Sequence, residues 1–382
     1  MNQRTQVRRS PHLVAYWNDE GFIITNYATR ASVMADALVS RVLDLAPDWI
    51  SIRDLRVSLR GLGARAIDNL LTAMLDERLL LRRGARHRRE ERALSAWKDW
   101  NPAAGFFHFS TKNVPPPANR ERAEQALRDE AASLGMPAKT KRYRRAKMVA
   151  LPSPNTRGQF PRVLLERRTW RSFAANAVAL DAVSTLLNLT WGVQRVAESP
   201  GLGEIHLKTS PSSGARQPLE AYMLAVAVAG LPPGLYHYRS DVHALELVRS
   251  GADRTTIGKY IPGQWWYDSA AALFMMTAVF PRTQWRYRFP RAYRSVLLEA
   301  GHVCQTFCLV ATWLGLAPFC TGRFADSFVE QQLRVDGVTE SFVYGGGIGT
   351  RPPGTRWAPW PGDADRKRPL MGRARLDIAE FG

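Results

Sequence analysis

The sequence predicts a mixed fold of helices and strands, built as a small N-terminal module ahead of a larger domain. Two observations support this prediction. Residues 12–83 contain a hairpin signal, three helical patterns and a short apolar run, and residues 162–349 form a long periodic, apolar region. We therefore divide the chain into a winged-helix-like module (1–83), a basic linker or wrapping arm (84–161), a principal domain (162–350) and a Pro/Arg-rich C-terminal tail (351–382).

The N-terminal module has the element order of a winged helix. Its patterns predict a hairpin with Gly in the turn, three helices and a closing strand. Such modules bind DNA in some proteins and peptides or sister domains in others, so the order alone does not assign a role. The predicted elements are the hairpin strands His12–Trp17 and Phe22–Tyr27, a helix capped by Ser32 and ending near Leu45, a helix opened by Ser51-Ile52-Arg53-Asp54, a helix over Ala64–Arg78 and a strand at Leu79–Leu81.

The stretch that follows is strongly basic. Arg82 to Lys147 holds 17 Lys and Arg against 7 Asp and Glu, which is ten of the chain's net charge of +19. Such a surface attracts nucleic acid, anionic lipid or acidic polypeptide, although an ordinary solvated Arg-rich face explains it equally well. A helix is predicted near Arg120–Leu134, ended by Gly135 and Pro137. We interpret residues 84–161 as an arm rather than a core.

Composition excludes several protein classes. The apolar share of 45% is that of a globular chain, and the N-terminus lacks a signal-peptide pattern. The apolar runs Leu219–Leu231 and Ala270–Phe280 fall short of the roughly 20 residues of a membrane span, so we expect a soluble, cytoplasmic protein with no membrane partner. Cys304 and Cys308 share a helix face while Cys320 stands alone, so we predict neither a disulfide framework nor a metal site.

Two polar motifs in the principal domain suit a phosphorylated ligand. Arg167, Arg168 and Arg171 precede a helix around Asp181–Trp191, and guanidinium groups bind phosphate oxygens in a bidentate fork. The loop Pro211-Ser212-Ser213-Gly214 offers hydroxyls and closely approaching backbone amides ahead of a strand at Ala221–Ala229. Taken singly, each motif also fits a solvated surface or an ordinary turn.

The remaining motifs follow in order along the chain. Gly234–Tyr238 and His243–Leu247 predict a hairpin, and Glu299 opens a helix that runs to Leu314 and stops at Gly315. Phe319-Cys320-Thr321-Gly322-Arg323-Phe324 and a strand at Ser341–Ile348 come last. The helix has a small-residue face that would let another helix approach closely, formed by Ala300, Gly301, Cys304, Cys308 and Ala311.

Together these segments resemble the SagB-type dehydrogenases, the azoline oxidases of the FMN-dependent nitroreductase superfamily. The resemblance covers about Arg162 to Gly349 and implies an α+β nitroreductase-like fold, FMN as cofactor and a homodimer that shares two flavin sites. Carried over by motif, Arg167, Arg168 and Arg171 match the phosphate-binding arginines. Pro211, Ser212 and Ser213 match the loop along the flavin, and Thr321 and Gly322 match the segment beside its reactive edge.

One departure from the family pattern concerns proton chemistry. Azoline dehydrogenases of this family carry a Lys-Tyr pair, whereas the matching segment here reads Arg286-Tyr287. Because arginine stays protonated, it is a poor general base. We therefore predict Tyr287 as the proton acceptor and Arg286 as a fixed positive charge that favours its phenolate. Both side chains reach one site only if this segment is irregular, since neighbouring residues on a strand face opposite ways.

These expectations favour one function and leave two alternatives. The favoured function is FMN-dependent dehydrogenation of an azoline-type ring on a ribosomally made peptide, with the N-terminal module and arm holding an acidic leader peptide or a cyclodehydratase partner. The first alternative is an NAD(P)H-dependent nitro or quinone reductase. The second is a nucleic-acid-binding or scaffold protein with a degenerate flavin fold, which the net charge of +19 supports.

Overall fold

The computed structural model describes residues 2–59, 61–85, 93–113, 115, 119–134, 151–152, 154–199 and 203–355. Its helices and strands confirm the predicted mixed fold. The N-terminal elements are β1 (Gln6–Arg9), β2 (Leu13–Asn18), β3 (Gly21–Asn26), β4 (Ala31–Met34), α1 (Ala37–Leu45), β5 (Ile50–Ser51), α2 (Ile52–Ser58), α3 (Ala64–Asp76) and β6 (Leu80–Arg82).

This N-terminal module has a hydrophobic core of its own. Strands β2 and β3 form the predicted hairpin, with Trp17 opposite Phe22, and β1 lies between β5 and β6 in a second small sheet. The buried core side chains come from β1, β3, all three helices and the start of β6. They include Val7, Ile24, Val42, Leu55, Leu71 and Leu80. The predicted elements are present, while the likeness to a winged helix stays a prediction.

The predicted start of the first helix is wrong. Ser32 lies in β4, opposite Thr25 of β3, because the hairpin continues into a third strand. Helix α1 begins at Ala37, and its cap is Asp36, whose Oδ1 accepts the N–H groups of Leu38 at 2.8 Å and Val39 at 2.9 Å. A capping carboxylate satisfies the free amides of the first turn as a serine hydroxyl would.

The principal domain is a six-stranded antiparallel sheet with helices on both faces. The strand order is β13-β12-β10-β14-β16-β15. The elements are α4 (Ala103–Ser110), α5 (Arg120–Leu134), α6 (Gln159–Glu166), β7 (Val178–Ala179), α7 (Leu180–Trp191), β8 (Arg195–Ser199), β9 (Gly203–Leu207), β10 (Leu219–Ala225), β11 (Val228–Ala229), β12 (Gly234–Arg239), β13 (Ala244–Ser250), α8 (Arg254–Tyr260), β14 (Ala272–Val279), α9 (Phe280–Gln284), α10 (Ala292–Trp313), β15 (Leu316–Thr321), α11 (Asp326–Leu333) and β16 (Glu340–Thr350).

Alternation along the central strand β14 divides the domain into two cores. Phe274 and Met276 point to the side of α7 and α10, whereas Leu273 and Met275 point to the side of α8 and α11. Successive side chains of a strand face opposite sides, so a strand that is apolar throughout must be covered on both faces. The predicted sheet segments, the hairpin β12–β13 and the helix over Asp181–Trp191 are confirmed.

Helix α10 is the central helix of the principal domain. By length and composition it could cross a membrane, unlike any other helix in the part of the chain that the structure describes, yet half of its apolar window is buried inside the protein. It starts at Ala292, about two turns before the predicted start at Glu299, and Gly315 follows its end in a left-handed conformation with φ +76°.

Four of the five residues of the small-residue face of α10 are buried within this chain: Ala300, Cys304, Cys308 and Ala311 are all 0–3% exposed, whereas Gly301 is exposed. Small side chains let the helix pack closely against α7 and β15 of its own domain, so this face gives no argument for a dimer.

The interpretation of residues 84–161 as an arm without a core is wrong for residues 94–113. Trp97 and Trp100 are fully buried in the principal core, where the Trp97 Nε1 donates to the Val338 carbonyl at 2.8 Å. His108 is buried between the Tyr293 hydroxyl (2.7 Å) and Ser341 Oγ (3.1 Å). The apolar and aromatic side chains of residues 94–113 thus place this stretch in the core, although the residues around it are strongly basic. The helix over Arg120–Leu134 is confirmed, while Gly135, Pro137 and the tail beyond 355 lie outside the described residues.

Candidate active site

The predicted proton-transfer pair, Arg286 and Tyr287, packs against the loop Pro211–Gly214, called the serine loop from here on. Gly214 adopts a left-handed conformation with φ +59°. A Cβ placed on it would lie 2.8 Å from the Tyr287 hydroxyl and 3.0 Å from the Arg286 Cδ. Only glycine allows both the backbone conformation and this approach. The structure therefore brings Arg286 and Tyr287 together on the Pro211–Gly214 loop.

Irregular backbone makes this convergence possible. After α9, the N–H groups of Arg286 and Tyr287 both donate to the Thr283 carbonyl, at 3.2 and 3.0 Å. The chain turns instead of extending as a strand, so two adjacent side chains reach the same glycine. The Arg286 guanidinium carbon lies 5.6 Å from the centre of the Tyr287 ring, which places a fixed cation beside the phenol.

The N-terminal extension supports this segment directly. The Trp100 Nε1 donates to the Tyr287 carbonyl at 3.0 Å, and Trp100 itself is fully buried against Phe280 and Tyr293. The backbone of the candidate base is therefore held by a residue that lies well outside the principal domain predicted from the sequence.

The serine loop is held in place by the buried carboxyl group of Glu299. Ser212 Oγ accepts the N–H of Gln217 at 2.9 Å, and Glu299 of α10 accepts hydrogen bonds from the Ser212 hydroxyl and the Ser213 N–H. Glu299 is 4% exposed, and its burial raises its pKa to about 7 against the opposing effects of these hydrogen bonds and of Lys208. A carboxyl group with this pKa can exchange a proton at neutral pH.

A charged cavity of about 520 Å³ lies next to the loop. Its lining includes Lys208, Arg216, Glu220, His237 and Arg282. Burial lowers the pKa of Lys208, although the nearby Glu220 carboxylate opposes this effect. Arg216 lies over the Trp285 ring at 5.2 Å, which connects the cavity to the segment that carries Arg286 and Tyr287. A cavity of this size and polarity suits a small polar group or part of a peptide.

The arginine cluster divides between two roles. Arg167 interacts electrostatically with the thiols of Cys308 and Cys320, and Arg171 forms a hydrogen bond with the Tyr267 hydroxyl. Both therefore face the C-terminal end of β15. Arg168 instead donates to the carbonyls of Leu165 (2.9 Å) and its own neighbour Arg167 (2.6 Å) at the end of α6. The structure thus places Arg167 beside Cys320 and Arg171 beside Tyr267, which stacks on Phe319 of β15.

Thr321 and Gly322 lie at this same end of β15. The Thr321 hydroxyl donates to the Gln264 side-chain oxygen at 2.8 Å and accepts the Arg323 N–H at 3.2 Å, so its orientation is fixed. Gly322 is exposed, and a Cβ placed on it would meet nothing within 4 Å. The exposed Gly322 thus leaves open space next to the fixed Thr321 hydroxyl.

Helix α10 connects the two parts of the site. Glu299 faces the serine loop, and Cys304, about 7.5 Å further along the axis, faces Cys320 beside Thr321. The three sulfurs of Cys304, Cys308 and Cys320 lie within 4.8 Å of one another. The sequence interpretation that Cys320 stands alone is therefore wrong. Strand β15 follows α10 and packs along the face of that helix that carries the other two cysteines.

Sequence reasoning missed three residues that shape the site: Glu299 as a buried carboxyl, Lys208 and Trp100. Glu299 gave a usable signal, since an acidic residue on the apolar face of a helix is rarely buried without a role. Lys208 and Trp100 lie in segments with no periodic pattern, and only the packing of the chain places them here.

Comparisons with known proteins identify the family of the principal domain. Residues 164–350 match the model of the nitroreductase family. A nitroreductase of Methanocaldococcus jannaschii is 30% identical over 173 residues, 45% of this chain and 83% of that protein. The trifolitoxin-processing protein TfxB of Rhizobium leguminosarum is 31% identical over 170 residues, which is 44% of this chain and only 46% of that protein.

Among solved structures, the Escherichia coli microcin synthetase McbBCD complex with truncated pro-MccB17 has a chain that is 19% identical, with a TM-score of 0.48. The alignment covers 68% of this chain and 94% of that one. The match to the family model and the extent of the archaeal relative confirm the family that the motifs indicated. This chain belongs to the nitroreductase family.

Proposed function

We propose that this nitroreductase-family oxidoreductase is an FMN-dependent dehydrogenase of azoline-type rings in a ribosomally made peptide. The observation that carries the proposal is the packing of Tyr287 and Arg286 on Gly214. It puts a tyrosine, whose phenolate can accept a proton, and a permanent cation at the loop predicted to follow the flavin. A plain scaffold protein has no need of this arrangement.

The residues present fit FMN. Arg167 and Arg171 offer guanidinium donors of the kind that bind a phosphate group, and both face the end of β15. The open space over Gly322 would be filled by any larger side chain. Thr321, Gly322 and the Pro211–Ser213 loop would line the ring system and its side chain. When bound, FMN supplies the acceptor for the hydride that the ring loses.

The chain's own residues handle the proton and the substrate. Tyr287 would take the proton from the ring carbon as its phenolate, whose negative charge the Arg286 cation stabilises before the transfer. Glu299 keeps the Ser212 hydroxyl and the Ser213 N–H in place and can exchange a proton near neutral pH. Buried Trp100 holds the Tyr287 backbone, so the phenol stays at a fixed distance from the loop.

A peptide substrate is supported by the relative TfxB, whose name describes the processing of trifolitoxin. The +19 net charge supports the same proposal, since it favours an acidic leader peptide or an acidic partner. The N-terminal module would hold that leader or a cyclodehydratase, whereas a small free substrate would need no such module.

We also propose a homodimer, as the family resemblance implies. Its support in the structure is an exposed apolar patch where α6 meets α10, with Phe160 66%, Leu164 43% and Trp313 47% exposed. Patches of large apolar side chains mark association surfaces. Light scattering should give a mass near twice 42.9 kDa. Trp313→Glu should lower it, and a flavin-loaded monomer of the parent protein would contradict the dimer.

The direct test of function uses the purified chain and an azoline-containing peptide. We expect a yellow protein with about one FMN per chain, and loss of two hydrogen atoms from the peptide by mass spectrometry. Tyr287→Phe should keep its FMN and lose turnover. Failure to oxidise azoline peptides with and without a cyclodehydratase partner, in a protein that holds FMN, would contradict the proposal.

The similarity to an archaeal nitroreductase favours a second candidate, NAD(P)H-dependent reduction of nitro compounds or quinones. Rapid bleaching of the flavin by NADPH, followed by turnover of a quinone, would support this candidate. Bleaching by the azoline peptide with no response to NADPH would support the first.

A further inference from the structure

All three cysteines of this chain meet at one point in the fold. Cys304 and Cys308 are one helical turn apart on α10, and Cys320 reaches them from β15. Their sulfurs lie within 4.8 Å of one another and interact by mutual hydrogen bonds. We propose that Cys304, Cys308 and Cys320 form a three-thiolate site for a soft metal ion, Cu(I).

The arrangement suits a metal ion better than a disulfide. A disulfide uses two sulfurs, whereas here a third thiol also lies within 4.8 Å of both others. Around one ion with metal–sulfur bonds of about 2.3 Å, three sulfurs are separated by about 4 Å. Closing the site therefore needs sulfur movements of at most about 1 Å, which rotations of cysteine side chains can supply.

The number and type of ligands favour Cu(I) over Zn(II). Structural zinc almost always takes four ligands. Within the described part of the chain, the metal-binding group contains these three thiols and no His, Asp or Glu. Thiolates select soft ions such as Cu(I). Cys304 and Cys308 are each 3% exposed, so a water ligand is poorly placed to complete a zinc site, while the more exposed Cys320 offers a route of entry.

Charge and hydrogen bonding around the sulfurs support the same conclusion. Loading releases three thiol protons to solvent as three copper–sulfur bonds form, which leaves two net negative charges. The Arg167 guanidinium interacts with Cys308 and Cys320, and the Tyr344 hydroxyl donates a hydrogen bond to the Cys320 sulfur. A cation and an O–H donor stabilise buried thiolates. No oxidant or reductant is needed when copper is supplied as Cu(I).

The test is an anaerobic titration of the reduced, FMN-loaded full chain with the Cu(I)–bicinchoninate complex. We expect the protein to withdraw one equivalent of copper and to show a thiolate-to-copper charge-transfer band. X-ray absorption should find sulfur neighbours alone. Retention of all copper by bicinchoninate would overturn the proposal, as would a stable disulfide between two of these cysteines in freshly prepared protein. Preference for Zn(II) over Cu(I) in a competition would overturn the choice of ion.

Variants identify the ligands. Cys304→Ser, Cys308→Ser and Cys320→Ser should each lower copper affinity by more than about 100-fold, beyond the effect of outer-shell changes. Thr312→Ser, which is buried on the same helix and holds no sulfur, is the matched control and should bind copper like the parent. The flavin absorption reports folding of each variant. Equal copper uptake by a variant that lacks all three thiols would also overturn the site, whatever the fate of the proposed dehydrogenase activity.

Discussion

The two glycines of the candidate site differ in what surrounds them. Gly214 is closed in by this chain's own side chains, with the Tyr287 hydroxyl 2.8 Å from the position of a Cβ, whereas Gly322 opens onto free space. The first glycine thus belongs to a part that the protein completes by itself. The second borders a part with room for a ligand. This difference fits our proposal that the chain supplies the proton chemistry at Gly214 and receives the cofactor near Gly322.

The largest expected effect is on flavin reduction, and it tests the proposed proton chemistry beside Gly214. Tyr287→Phe should lower single-turnover flavin reduction by peptide about 10²- to 10⁴-fold, the usual contribution of a positioned acid or base. The flavin should stay bound, because the Tyr287 hydroxyl is not among the groups proposed to hold FMN. Stopped-flow absorbance measures both properties.

Arg286→Lys is the matched control for the Tyr287 variant. It keeps a cation beside the phenol and restores the pattern of the related dehydrogenases, so we expect flavin and activity to be retained. A Tyr287→Phe enzyme that reduces its flavin as fast as the parent would rule out Tyr287 as the base.

The next effect concerns the phosphate end near Gly322. Arg171→Ala should weaken FMN binding by about 1.5–3 kcal/mol, roughly 10- to 100-fold, since it removes a charge-assisted contact. Arg168→Ala is the control, because Arg168 donates to carbonyls at the end of α6 and should affect FMN less. Fluorescence titration gives both dissociation constants, and equal losses would contradict the division of the cluster.

Glu299 links stability to pH. Because burial raises its pKa from the ordinary 4.5 to about 7, its protonated form is favoured in the folded protein. The resulting contribution to the free energy of unfolding is on the order of 1–3 kcal/mol. It is fully present below about pH 4.5 and is lost as the pH rises through about 7. Glu299→Gln keeps the acceptor for Ser212 and Ser213 and should flatten this decline in urea unfolding. The exposed Glu20→Gln should behave as the parent, and a parent profile in Glu299→Gln would contradict the assignment.

The glycines themselves give a paired test. Gly214→Ala should lower the unfolding free energy by about 1–2 kcal/mol from its left-handed backbone alone, and should also displace Tyr287. Gly322→Ala meets no atom of the described residues within 4 Å, so its cost should appear in FMN affinity and not in the stability of the FMN-free protein. Equal destabilisation of the two FMN-free variants would remove the contrast between the two parts.

The smallest expected effect tests the support from outside the principal domain. Trp100→Phe removes the hydrogen bond to the Tyr287 carbonyl and should cost about 0.5–1.5 kcal/mol of stability together with a measurable loss of turnover. Trp97→Phe removes a similar bond to Val338 and should cost similar stability without affecting turnover. Loss of turnover in both variants would indicate general loosening of the core.

Much of the fold could be predicted from local patterns. The helices over Arg120–Leu134 and Leu180–Trp191, the Ser51 cap and the hairpin β12–β13 depend on periodicity, caps and turns, which act between residues close in sequence. The motif order also identified the nitroreductase family. The errors arose where a local signal had a rival, as when Ser32 joined a third strand and Asp36 capped the helix instead.

What the sequence by itself determined, then, is the element order, the family and the residue types that the chemistry needs, because each follows from neighbours along the chain. Only the tertiary structure decided which of these residues meet. It placed Tyr287 on Gly214, Trp100 behind Tyr287, Glu299 under the serine loop and Cys320 beside Cys304 and Cys308. Such contacts join positions far apart in sequence, and they depend on how α10 packs against both the sheet and α7, which no local pattern encodes.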